Sequence, residues 1–145
     1  MAVDFSKILG KQAEEIEAPK PLPVGSYICT NPKLPDFQEI GRNGTPGANF
    51  SLVVIAPSDD VDPDSIREFG EVKGKTIRHT MWLSEGAEFR TKEELVNAFA
   101  LEEAGKSLGQ LFNETINKQI LVTIKHEPTQ DGTGIIARVE KIAAV

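Results

Sequence analysis

Ten residues, Lys75 to Ser84, alternate so strictly that they commit the chain to a β-sheet with one covered face. Ile77, His79, Met81 and Leu83 fall on one side, Arg78, Thr80 and Trp82 on the other. Two earlier segments read the same way. Residues 24–31 place Tyr27 and Cys29 on one side and Ser26, Ile28 and Thr30 on the other. Residues 49–56 carry apolar side chains on both sides, so one face meets a core and the other is partly covered. The pattern then changes period. Thr91 and Glu94 have the spacing of a helix capping box, and Leu95, Val96 and Phe99 follow at helical intervals until Gly105. Ser107 and Gln110 repeat the cap signal ahead of a second helical stretch to about residue 116. Strand patterns return at 118–126 and 133–143, joined by the hairpin dipeptide Asp131-Gly132.

Three strands, a helical segment and a final two-stranded hairpin make a mostly β domain with helix (α+β). The expected architecture is a five-stranded OB-type (oligonucleotide-binding) barrel whose helical segment lies between strands 3 and 4. The 145 residues suit one domain at 22–145 behind an N-terminal arm at 1–21, where Pro19, Pro21 and Pro23 favour an extended linker. Residues 32–49 hold several prolines and glycines and read as a long loop, with Phe37 and Ile40 exposed or loosely packed. Cys29 is the only cysteine, so no internal disulfide forms and a reducing cytosol fits. The acidic N-terminus does not read as a secretory signal, and no apolar run nears the roughly 20 residues that span a bilayer. The expectation is a cytoplasmic protein without a membrane partner.

Signals for catalysis are sparse. His79 and His126 are the only imidazoles, and neither has a cysteine or histidine at metal-ligand spacing. Asp59, Asp60, Asp62 and Asp64 lack the central glycine and closing glutamate of a calcium loop and include Pro63. Gly41, Gly44 and Gly47 do not link a strand to a helix as a phosphate loop would. A binding protein without metal or cofactor is expected rather than an enzyme.

The net charge of −6 opposes a polyanionic ligand, but its distribution matters more than its total. Between Ser58 and Glu71 stand six acids and one arginine, so most of the excess lies in a single segment. Arg78 and Trp82 share one side of the third strand: an indole stacks on a base while a guanidinium meets phosphate. Lys73 and Lys75 enter that strand, Arg42 sits in the glycine-rich loop, and Lys125 and Arg138 lie in the last hairpin. With Phe37 and Tyr27 as further aromatics, these nine residues form the candidate nucleic-acid surface. A lone tryptophan is also a common core residue, and both placements of Trp82 stay open.

Leu22-Pro23-Val24-Gly25-Ser26-Tyr27 opens the first strand, Phe50–Ile55 forms a Leu/Val-type second strand, and Gly74-Lys75-Thr76-Ile77 enters the third. In that order, followed by a helix and a closing hairpin over residues 22–142, the chain resembles a family of phage proteins, once catalogued as a domain of unknown function, grouped with OB-type single-stranded DNA-binding proteins. Asn117 stands where the family pattern has glycine before Lys118, the acidic insert is long, and Glu140–Val145 is not an acidic tail. The resemblance implies a phage replication or recombination accessory protein that coats single strands in the host cytoplasm. Its partners would be single-stranded DNA and phage replication or recombination proteins, with a homo-oligomer left open. The alternative is a structural or protein-interaction module, such as a virion or assembly component, which the acidic charge, the arm and the long loops would suit.

Overall fold

A computed structural model describes Leu9, Gly10 and residues 20–145. Most of the expected arm at 1–21 lies outside the described residues. Six strands form one antiparallel sheet: β1 Gly25–Thr30, β2 Asp36–Ile40, β3 Thr45–Pro57, β4 Thr76–Trp82, β5 Gln119–Pro128 and β6 Ile135–Ala144. Three α-helices interrupt them: α1 Pro63–Phe69, α2 Glu88–Phe99 and α3 Leu108–Glu114.

The thirteen-residue β3 organises the sheet. It pairs with β2 through Thr45–Asn49, with β4 through Gly47–Val53 and with β1 through Val53–Pro57. β1 then carries β5, and β5 carries β6. Ala48, Phe50, Leu52 and Val54 project from β3 into the core, at most 1% exposed. Phe50 lies between α2 and α3, with ring centres 5.8 Å from Phe99 and 5.9 Å from Phe112. The helices therefore cover the inner face that the strand alternation leaves apolar. Irregular pairing between Ile28 and Cys29 on β1, and between Thr123 and Ile124 on β5, bends and twists the ribbon around this core.

Two features of the expected barrel change. The sheet has six strands rather than five, because the Pro- and Gly-rich segment forms a hairpin instead of a loop. Gly41 and Gly44 adopt positive φ (75° and 61°) at its turn, which glycine adopts without strain. Pro46 fits in β3 because its carbonyl, and hence the side of its missing N–H, faces β4 where that strand has ended; the carbonyl accepts from Leu83 N–H. The sheet also stays open. The outer edges of β4 and β6 approach one another, but no backbone ladder joins them among the described residues. A cleft of about 520 Å³ separates them, with Leu22 among its lining residues.

The helical segment shifts too. Instead of one long helix capped by Thr91, α2 starts at Glu88 after a 3-10 turn at Glu85–Ala87, and it ends at Ala100, which takes a left-handed φ of 55°. Thr91 is buried and its hydroxyl donates to the Trp82 carbonyl at 2.6 Å. Glu94 hydrogen-bonds His79. The two expected capping residues thus tie α2 to β4. The second cap is present as read: Ser107 and Gln110 close a reciprocal capping box on α3.

The acidic segment contains α1, whose N-terminus is set by Asp62 as cap and Pro63 in the first turn. Asp60 accepts from both the N–H and the hydroxyl of Ser26, each at 2.8 Å, which holds its carboxyl below the usual range. Val61 packs on Gly25, where a Cβ would come within 2.5 Å of its side chain and 3.0 Å of its Cα. Gly25 also has a φ of 138°. Gly25→Ala should therefore destabilise the fold by roughly 1–3 kcal/mol through overpacking and backbone strain. Chemical denaturation checks this; an unchanged midpoint would mean Val61 does not seat there.

Candidate nucleic-acid interface

Register assigns each face. Residues paired across β3 and β4 project to the same side, so Trp82 lies beside Gly47, Thr80 beside Asn49 and Arg78 beside Ser51 on the outer face. Met81, His79 and Ile77 face inward. Trp82 is 40% exposed, neither core nor fully free. Its indole lies over Gly47: a Cβ there would sit 3.5 Å from Cε3 and 2.7 Å from Ile40 Cδ1. A glycine opposite the tryptophan lets the ring lie close on the sheet, walled by Ile40 and Thr80. Thr80 is fixed in turn by donating to Asn49 Oδ1 at 2.5 Å. The outcome is a flat aromatic surface with one face on the protein and part of its area open.

Arg78 stands two residues along the same face, exposed, with no carboxylate at ion-pair distance among the described residues. Arg42 extends from the β2–β3 turn, beyond the Trp82 end of β4. Lys73 and Lys75 lie at the opposite end, where the Lys75 ammonium is 5.9 Å from the Phe69 ring centre. Lys125 and Arg138 face each other on β5 and β6, but both pair with Glu127, at 3.0 and 2.9 Å. Their charge is largely compensated, and Lys125 lowers the Glu127 pKa most.

Two expected site residues lie elsewhere. Tyr27 is fully buried and its hydroxyl donates to the Pro23 carbonyl at 2.7 Å. Burial first, then the nearby Asp60 and Cys29, pushes its pKa up to about 12. The inward side of β1 is core, so Tyr27 presents no ring to a ligand. Phe37 is half exposed, yet it pairs with Ala48 and so projects to the helical side, edge-on to Phe112 at 5.2 Å. It belongs to the rim of the core, away from the Trp82 face.

Arg90 was absent from the sequence reading. It lines a hollow of about 220 Å³ between α2 and β4, together with Thr80 and Trp82. Placing the helix start at Thr91 left Arg90 outside the helix. With α2 starting at Glu88, Arg90 joins Ala87, Thr91 and Glu94 on the face toward β4.

The imidazoles and acids have local partners. His126 Nε2–H donates to the Leu22 carbonyl at 2.7 Å, and His79 is held by Glu94. Asp60 binds Ser26 while Asp62 caps α1, so the aspartates of the acidic segment have separate tasks. Burial pushes the Cys29 thiol up to about 12, which suits an inert core residue. No described helix is long and apolar enough to cross a membrane.

The β5–β6 turn flanks the cleft through a tight cap. Asp131 Oδ1 accepts first from the Thr129 hydroxyl and then from the N–H and hydroxyl of Thr133, and these bonds lower its pKa from 3.8 to about 2. Because the folded-state pKa is depressed, this contribution to stability is full above about 3.8 and disappears as pH falls through about 2. Carboxyl NMR should show Asp131 titrating near 2; a midpoint near 3.8 would mean the cap is not formed in solution.

No protein-family model matches the chain, and no curated protein matches it in sequence.

Proposed function

We propose that the protein is a single-stranded DNA-binding protein of the OB type that tolerates many sequences. The observation that carries this reading is the only tryptophan, laid over Gly47 on the outer face of β4 beside an unpaired arginine. Stacking on an aromatic ring needs only a π-face, so it admits any base, while guanidinium groups follow the phosphates. Duplex DNA is disfavoured because its bases are already stacked and paired.

Connectivity supports the fold assignment. Taken together, β1 and β2 act as one interrupted strand along the same edge of β3. The order is then strand, strand, strand, helices, hairpin, with β4 and β6 meeting where an OB barrel would close. In that fold the second and third strands, with the loops between strands 1–2 and 4–5, form the oligonucleotide face. The corresponding parts here are β3 and β4, the turn bearing Arg42 and the turn capped by Asp131. Phage replication or recombination in the host cytoplasm is the setting this reading favours.

A titration with fluorescein-labelled oligothymidine, followed by anisotropy, tests it. Binding is expected at low salt and should weaken as salt rises, with a log–log slope of about −0.7 per phosphate contacted. Unlabelled oligothymidine should quench the emission of the sole tryptophan. Trp82→Ala should weaken binding by about 1–3 kcal/mol while the protein stays folded. Folded protein that shows no binding at low salt would overturn the proposal in favour of the protein-interaction module.

A further inference from the structure

Trp82 stands between two hollows, and an arginine opens into each. On one side is the cleft between β4 and β6, lined by Arg78, Thr80 and Trp82. On the other is the hollow between β4 and α2, lined by Thr80, Trp82 and Arg90. Thr80 and Trp82 form the wall common to both. We infer that a bound single strand runs along the open edge of β4, stacks a base on Trp82 and continues onto the first turn of α2, where Arg90 takes a phosphate on the opposite side of the indole from Arg78. This inference rests on the reading of the Trp82 face as the binding surface and adds the direction of the strand and a contact outside the sheet.

Three observations support it. First, Arg78 and Arg90 are both exposed and have no carboxylate at ion-pair distance among the described residues. Most other cations near the cleft and the helix are neutralised: Arg138 and Lys125 pair with Glu127, and Lys92 pairs with Glu93 and Glu103. Second, the acid in the Arg90 hollow, Glu94, is turned toward His79 and hydrogen-bonded to it. It therefore does not cancel Arg90, which keeps its charge for a ligand. Third, the position of Arg90 is set by its neighbours. Thr91 anchors the same helical turn to the Trp82 carbonyl at 2.6 Å, and the Glu94–His79 bond holds the next turn to β4. Helix, tryptophan and strand thus form one rigid frame, and preorganised groups lose less entropy when they bind.

The measurement is a salt titration of labelled oligothymidine by anisotropy on the wild-type chain and on R78A, R90A, R90K and K106A. Lys106, paired with Glu114 and absent from the lining of both hollows, is the control. R90A should bind roughly tenfold more weakly at low salt, with the log–log salt slope reduced by about 0.7, the value for one lost phosphate contact. R90K keeps the charge and should restore the slope. Oligothymidine should still quench Trp82 emission in R90A to the wild-type maximum, at higher concentration. If R90A binds with wild-type affinity and slope while R78A is weakened, the path onto α2 is wrong and the proposed function stands. If R90A is weaker but its slope is unchanged, or R90K fails to restore the slope, Arg90 acts through the fold and the inference also fails. If wild-type protein does not bind, both fall together.

Discussion

The register on β3 is the constraint from which the rest of the structure follows. One strand holds β2 and β1 along one edge and β4 along the other, so its side-chain alternation sets the faces of most of the sheet. Phe50 points in and reaches both Phe99 and Phe112; Ser51 and Asn49 point out. A slip of one residue would turn Phe50 to solvent and bring Arg78 and Trp82 inside. Burying an unpaired guanidinium is far costlier than any change in backbone pairing, so the aromatic cluster and the exposed arginine select the same register. Core packing and the candidate site are therefore two consequences of one alternation.

The strands were legible wherever period two was clean. Lys75–Ser84 became β4, with the faces assigned correctly, and Asp131-Gly132 became the last turn. The failures share a cause: local signals that a tertiary contact outweighed, or that adjoining prolines obscured. Thr91 and Glu94 have cap spacing, but a buried hydroxyl gains more by donating to the Trp82 carbonyl than by capping an exposed helix end. The β2–β3 hairpin was hidden by prolines and glycines that usually end strands, although Gly41 and Gly44 are the residues that turn it. Helix α1 did announce itself through Asp62-Pro63, yet the run of acids around it read as loop. Closure was not legible, because the approach of β4 and β6 depends on how far bulges curl the sheet, and a bulge leaves no local pattern in β1 or β5.

The candidate surface divides along the same line. Alternation groups side chains by face without saying which face is inside. Arg78 and Trp82 were grouped correctly, and only the register with β3 shows that theirs is the outer face. Tyr27 falls on the inner side for the same reason. Charge is less legible still. Lys125 and Arg138 look as basic in sequence as Arg78, but Glu127 sits between them on the neighbouring strand position. Counting basic residues overstates the field at the β5–β6 side; the uncompensated cations lie along β4 and its flanking turns.

That distribution bears on how an acidic chain could bind a polyanion at all. The acidic segment is not loose over the site. Ser26 clamps Asp60 at the start of β1, Val61 packs on Gly25, and α1 returns the chain to the Thr76 end of β4, seven residues from Trp82 along the chain count of that strand. A strand rises about 3.3 Å per residue, so the two ends of β4 stand roughly 20 Å apart. That is about two Debye lengths at physiological salt. The field of the acids is largely screened at the indole, while Arg78 and Arg90 act there at contact. On the proposed function, the acids would instead repel phosphates from the Thr76 end and leave the Trp82 end as the place where a strand enters, which matches a path that continues from β4 onto α2.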